Sequence, residues 1–140
     1  MELTELCFAG AARQAHAVRS GEVSARDLVA EHLGRIERVE PQLNAFRLVF
    51  AEKAMAEAER ADERAAAGED LPLLGVPIAV KEDIAIEGLP TTKGTNAART
   101  RQPADSVIVR RLREAGAVII GRTRMPELGL WPHTESGWAA

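Results

Sequence analysis

The sequence has 140 residues, 46% of them hydrophobic, and 18 basic against 21 acidic side chains give a formal net charge of -3. This length suits one domain, and the composition excludes wholesale disorder and coiled coils. Basic residues alternate with acidic ones except at Arg110, Arg111 and Arg113, so we expect no nucleic-acid partner.

The first helix is predicted over residues 11–18 and ends at Ser20 and Gly21. A second helix begins after Ser24 with a capping-box spacing and stops at Pro41. We expect these two helices to form a helical hairpin.

Residues 43–50 are typical of either a short strand or the beginning of the next helix. An alanine-rich run with interleaved charges follows over residues 51–67, and Gly68 ends it. Alanine and paired charges favour a helix, and we expect it to be a solvated surface helix.

A strand, a helix and a second strand are predicted next. Apolar residues over 71–80 indicate a buried strand that ends at charge, and residues 117–120 indicate another strand, ended by Gly121. Between them, Asp105 or Ser106 caps a helix that Gly116 stops, with an inner side formed by Val107, Ile108, Leu112 and Ala115. This order predicts a parallel crossover unit.

Lys81 follows the first predicted strand directly. Ligands bind at the carboxyl ends of strands in open α/β sheets, and desolvation there would disfavour the ammonium form, as a general base requires. The alternative is a lysine that reaches solvent or pairs with Glu82 or Asp83. Those two adjacent acids diverge at a strand end, so we expect no acid and base dyad from them.

The loop of residues 88–95 contains small and hydroxylated side chains and lacks the Walker spacing. Either it approaches a ligand closely, or it is a surface turn whose threonines bond to their own backbone. Two tryptophans near the end, Trp131 and Trp138, are expected to pack rather than to bind a ligand.

Cysteine and histidine usage indicates neither a disulfide nor a metal site. Cys7 is the single cysteine, expected as an apolar helix-face residue with nothing nearby to lower its thiol pKa, and His16, His32 and His133 lack metal-ligand spacing.

No run approaches the roughly 20 apolar residues of a membrane span, and residues 1–10 lack the regions of a signal peptide. We expect a cytoplasmic protein without cofactor, metal or membrane contact.

Three ordered blocks of the sequence resemble the amidase signature family. They read LGVPIAVKEDI over residues 74–84, GLPTTKGT over 88–95, and a third block over 104–128 that ends in MPEL. The helices through Leu43-Asn44-Ala45-Phe46 are similar to that family's start. The resemblance implies a single partial domain over 1–140, in which a helical region, 1–67, precedes the beginning of a mixed-sheet α/β/α layered core, 68–140.

The resemblance also implies an activity and assigns one residue. Members of the family hydrolyse carboxamide bonds of small-molecule amides with a Ser, cis-Ser and Lys triad, and Lys81 matches the catalytic lysine. In that mechanism a neutral lysine takes a proton from the bridging serine, which activates the nucleophilic serine to form an acyl-enzyme.

The sequence departs from the family pattern at several positions. Glu82 stands where the family commonly has Asp, and Lys93-Gly94-Thr95 replaces Ala-Gly-Ser. In the family, the glycine and serine-rich segment with both serines and the oxyanion-hole amides follows the block ending at Leu128; neither Ser106 nor Ser136 matches it. The ending, residues 135–140, also differs from the usual continuation. We therefore expect the N-terminal part of an amidase, inactive by itself.

Two other functions are compatible with these residues. One is a non-enzymatic interaction or regulatory module derived from a truncated amidase, and the other is a generic α/β domain that binds a small molecule. The stretch over 130–135 is more similar to stand-alone amidases than to the amidotransferase branch of the family. Because strands of the core are missing, we expect self-association through an exposed sheet edge.

Overall fold

Helices precede a small mixed sheet in this protein. The computed structural model describes residues 2–95 and 100–135. The elements are α1 (Leu3–Leu6), α2 (Ala11–Arg19), α3 (Ala25–Leu43), β1 (Phe46–Val49), α4 (Ala51–Ala66), β2 (Pro77–Lys81), α5 (Val107–Glu114) and β3 (Val118–Thr123), followed by a 3₁₀ turn at Glu127–Gly129. Among these described residues, no helix has the length and apolar character that crossing a membrane requires.

The sheet has the strand order β1-β3-β2, with β3 in the centre. β3 runs antiparallel to β1 and parallel to β2, which confirms the predicted crossover through α5. In this register Lys81 lies opposite Thr123 and Val80 lies opposite Arg122. Residues 46–49, in the segment for which the sequence left a strand or a helix open, form β1 and pair with β3, so a strand is the correct alternative.

Side chains of β3 alternate between two apolar clusters. Val118 and Ile120 pack with buried residues of α3 and α4, whereas Ile119 packs with Val80 on β2 and Val109 on α5. Successive side chains of a strand point to opposite faces, so helices cover both faces of the central strand. This arrangement is the beginning of a layered α/β/α architecture.

α3 begins as predicted but extends beyond Pro41. The Ser24 hydroxyl accepts a hydrogen bond from the Asp27 amide at 2.9 Å, and the helix continues to Leu43 before Asn44 adopts a left-handed conformation with φ 47°. Proline removes its own N–H donor, so the helix loses the bond to the carbonyl of Glu37, which is an exposed residue. The predicted stop at Pro41 was wrong. The missing hydrogen bond lies in the last turn of α3, where its loss does not prevent the helix from continuing to Leu43.

α4 is a surface helix, as predicted, and it buries one stripe of alanines. Ala54, Ala58 and Ala61 form a fully or nearly fully buried stripe at spacings of four and three. α3 packs mainly against α4 rather than against α2, so the predicted hairpin of α2 and α3 is not the main helix pair. Small alanine side chains permit this close approach.

α5 has a different inner side from the predicted one. Ser106 is its cap, with the hydroxyl accepting from the Val109 amide at 3.3 Å, and Val109 is fully buried. Val107 and Ile108 are 52% and 55% exposed, so placing them inside was wrong. The inner stripe passes through Val109, which the prediction omitted, and through Leu112, which it included.

Gly121 lies inside β3 rather than ending it, contrary to the prediction. A Cβ atom at this position would lie 2.6 Å from the Leu48 carbonyl oxygen on β1. Glycine is therefore needed here for the close approach of two strands rather than for a turn.

Candidate active site

Lys81 is the last residue of β2, at the carboxyl end of the strand. Its side chain is 49% exposed, and its Nζ lies 3.2 Å from Oδ2 of Asp83. Ile78 and Val80 pack in the α5 cluster, so Ala79 and Lys81 point to the other face, which the described residues leave uncovered at this end. The expected desolvation of Lys81 is therefore not observed here, and the pairing with Asp83 matches the alternative.

Glu82, the next residue, is buried at 2% exposure. Its carboxylate accepts a hydrogen bond from the Thr92 hydroxyl and lies 3.2 Å from Nε of Arg47 on β1. Asp83 is exposed, so the two adjacent acids diverge as predicted and form no dyad.

Arg122 on β3 is a buried cation that lies opposite Val80 of β2, the residue before Lys81. Its guanidinium donates to the Pro90 carbonyl oxygen at 2.6 Å and to the carbonyl oxygen of Glu82. Burial lowers the pKa of the Arg122 guanidinium, against the opposing effect of the Glu82 charge, and a guanidinium remains cationic at neutral pH. The sequence analysis singled out neither Arg122 nor Arg47; the available signal was a charged residue inside a strand, between apolar or small neighbours.

The loop of residues 88–95 folds back on its own backbone. The Thr92 carbonyl accepts from the Thr95 amide at 3.0 Å and from the Thr95 hydroxyl at 2.7 Å. Gly94 has φ +71°, and a Cβ there would lie 2.6 Å from the Pro126 carbonyl oxygen. The Leu128 amide also donates to the Lys93 carbonyl at 2.9 Å. The Thr95 bonds match the second alternative, a turn whose threonines bond to their own backbone, but Thr92 is buried and its hydroxyl donates to the Glu82 carboxylate instead. The Gly94 and Lys93 contacts hold the loop against the residues after β3.

Other candidate residues lie apart from this site. Trp131 is 63% exposed, so the prediction that it packs is wrong; Trp138 and Ser136 lie outside the described residues. Burial and, secondarily, the Glu31 charge raise the pKa of the Cys7 thiol, although the nearby Arg35 and Arg38 charges act in the opposite direction, so the expectation that nothing nearby lowers it was wrong. In residues 2–95 and 100–135, no group of three or more histidine, cysteine, aspartate or glutamate side chains could hold a metal ion.

The described residues thus place an amine and a carboxylate, those of Lys81 and Asp83, together at the carboxyl end of β2. The Lys81 amine can accept or donate a proton, Asp83 can share that proton, and the Glu82 and Arg122 contacts hold the backbone beneath the amine. The Ser106 hydroxyl is already engaged as a helix cap.

The chain is similar to known sequences over nearly its whole length. The model of the Amidase family matches residues 27–139. The chain is 51% identical over 136 residues to "Putative amidase AmiB2" of Mycobacterium tuberculosis (strain ATCC 25618 / H37Rv), covering 97% of the chain and 29% of that relative. It is also 45% identical over 135 residues to one component of the glutamyl-tRNA(Gln) amidotransferase of Salinispora arenicola (strain CNS-205), covering 95% of the chain and 28% of that relative.

Solved structures show the same relation. A crystal structure of amidase superimposes with a TM-score of 0.81 at 31% identity, over 99% of this chain and 30% of the other. The chain therefore spans about 29% of the length of the curated relatives it matches. The N-terminal helices and small mixed sheet correspond to part of that fold, as the resemblance implied.

Proposed function

The chain belongs to the amidase family, and from this premise we propose that it is the N-terminal segment of an amidohydrolase that cleaves carboxamide C–N bonds of small molecules. Its own contribution to the reaction is Lys81. The remaining members of the triad, the bridging serine and the nucleophilic serine, come from a segment that is not in these 140 residues.

One observation carries the proposal for Lys81. It combines the family's lysine position with a place at the carboxyl end of a parallel strand, where an amine can meet groups from a following segment. A neutral amine there takes the proton of the bridging serine, and that serine then activates the nucleophile. The exposed face beside Ala79 and Lys81 supports this role, because it leaves room for a covering segment that would desolvate the amine.

The 140 residues by themselves are proposed to be inactive. Without the nucleophilic serine there is no acyl-enzyme path, and each absent oxyanion-hole donor costs roughly 10²–10³ in rate. Lys81, paired with Asp83, could still transfer a proton, but without the nucleophilic serine no acyl-enzyme forms for that proton transfer to assist.

The decisive experiment joins this chain to the missing part of a relative. The portion of the 51% identical mycobacterial relative that follows the matched segment is supplied either fused or as a separate chain. Release of ammonia or aniline is then measured with aliphatic carboxamides, aromatic carboxamides and anilides. Three lysines, Lys53, Lys81 and Lys93, allow matched Lys→Met variants.

We expect turnover from the joined protein, none from the chain alone, and a loss of about 10²–10⁴ in kcat for Lys81→Met only. Undiminished turnover in Lys81→Met would show that the catalytic amine lies elsewhere. No turnover from any joined form, together with normal folding, would favour the non-enzymatic interaction module.

The cellular setting stays a proposal as well. A single unpaired cysteine, Cys7, suits a reducing compartment, so we propose a cytoplasmic location. The interleaved charges favour a small amide over a nucleic acid as the partner.

A further inference from the structure

We propose that Arg122 is a positioning residue for Lys81, and that its guanidinium fixes the end of β2 and the loop containing Thr92 as one unit. This inference rests on the proposed function, because Lys81 has a catalytic role only there. Arg122 would act through the backbone, without touching the substrate.

The contacts of Arg122 place it between two separate segments. One nitrogen, Nη2, donates to the carbonyl oxygen of Glu82, which directly follows Lys81, and the other, Nη1, donates to the Pro90 carbonyl at 2.6 Å. The Glu82 amide donates to the Thr123 carbonyl at 3.1 Å, which continues the pairing of β2 and β3 past Lys81. The residue after Lys81 is thus held through both its amide and its carbonyl.

The loop of residues 88–95 is also bound to the side chain of Glu82. The Thr92 hydroxyl donates to the Glu82 carboxylate, and Arg47 reaches that carboxylate from β1. Glu82 therefore joins three segments, and Arg122 is its backbone anchor. A displacement of the Pro90 to Thr92 segment would be passed to the peptide that follows Lys81.

The chemistry of the side chain favours positioning over general stabilisation. A buried charge costs desolvation energy, and apolar side chains of similar volume stabilise a core at least as well as buried ion pairs do. A guanidinium provides a planar fork of donors that can hold two carbonyl groups in a fixed relation. Lysine keeps the charge but presents a single nitrogen, so it cannot reproduce that geometry.

The test uses the 140-residue chain and two variants of the buried arginine. Arg122→Met removes the donors at similar length, and Arg122→Lys keeps the charge. Arg19→Met is the matched control, because Arg19 also donates to a backbone carbonyl, that of Leu71 at 2.9 Å, away from the site.

Two measurements report whether the end of β2 and the loop containing Thr92 stay together. Side-chain ¹³C and ¹H resonances of the lysines, assigned by single Lys→Arg variants, report the surroundings of Lys81, with Lys53 as internal reference. Amide hydrogen exchange is read at Glu82 and Thr95, and at Gly75, whose amide donates to the Gly116 carbonyl outside this unit.

We expect both Arg122 variants to shift the Lys81 resonances and to lower protection at Glu82 and Thr95 by about tenfold or more, with Gly75 unchanged. Arg19→Met should leave protection at Glu82 and Thr95 unchanged. Unchanged Lys81 resonances in both variants would overturn the proposal, and so would complete recovery in Arg122→Lys. Equal loss of protection at all amides, or unfolding of both variants, would also overturn it, because Arg122 would then stabilise the whole domain. These readouts involve no turnover, so their failure is distinct from a failure to hydrolyse amides.

Discussion

Nε of Arg47 lies 3.2 Å from Oε1 of Glu82, and the two side chains are 23% and 2% exposed. Arg47 belongs to β1, which precedes α4, whereas Glu82 follows β2 directly. The ion pair therefore ties the helical first part of the chain to the residue beside Lys81. Because the pair is largely buried, breaking it should lower the free energy of unfolding more than breaking a surface pair does.

Replacing Glu82 by Gln should destabilise the chain. The change removes a buried anion that pairs with Arg47 and lies close to the buried Arg122, at a cost of about 3 kcal/mol. Urea denaturation measures the free energy of unfolding. The control is Glu59→Gln, which breaks an exposed pair with Arg26 and should cost less than about 0.5 kcal/mol. Equal effects of the two substitutions would show that the buried pair is no stronger than a surface one.

Gly94→Ala should be markedly more costly than Gly88→Ala. Both glycines have positive φ, +71° and +76°, so each alanine incurs the left-handed penalty of about 1 kcal/mol. At Gly94 the new Cβ would lie 2.6 Å from the Pro126 carbonyl oxygen, whereas at Gly88 it meets nothing within 4 Å. Thermal unfolding should show about 2 kcal/mol or more of additional loss for Gly94→Ala. Similar melting of both variants would contradict the close contact between this loop and Pro126.

The stability of the chain should decrease with falling pH because of His32. Burial, and secondarily the Arg35 charge, lower the pKa of His32 below its ordinary value of 6.5, while Glu31 opposes them. Below pH 6.5 the unfolded chain binds a proton that the folded chain does not, so unfolding is favoured until the lowered folded pKa is reached. This loss should be absent above pH 6.5.

Urea denaturation across that pH range measures the contribution of His32. His32→Gln should remove this part of the pH dependence, whereas His16→Gln, at an exposed position of α2, should leave it in place. A pH dependence that is identical in the wild type and in His32→Gln would assign the effect to other groups.

Self-association of the 140-residue chain is expected through β1. Among the described strands β1 pairs only with β3, and Leu48 and Val49 on it are each 41% exposed. An exposed apolar edge strand is a template for pairing with another copy. Sedimentation velocity should show concentration-dependent oligomers that Leu48→Lys reduces. Phe8→Lys, at another exposed apolar position, is the control, and a monomer at all concentrations would contradict the prediction.

Local signals in the sequence predicted much of the fold. The Ser24 cap, the glycines at 21, 68 and 116, and the apolar run before Lys81 predicted α2 to α5 and the parallel crossover, because capping and backbone conformation depend on near neighbours. The errors arose at positions where tertiary contacts or the place of a residue in its helix outweighed the local preference of that residue. Pro41 failed to stop α3, and Gly121 continued a strand because Leu48 approaches it closely.

The sequence by itself determined the family and singled out Lys81, since ordered motifs and strand ends are local properties. Only the tertiary structure decided that Arg122 meets the Glu82 carbonyl, 40 residues away, and that Arg47 joins Glu82 from β1. It also decided that Lys81, Val107 and Ile108 are exposed in these residues. The physical reason is that burial and the pairing of buried charges depend on segments that meet only after folding, and no periodicity within one segment encodes them.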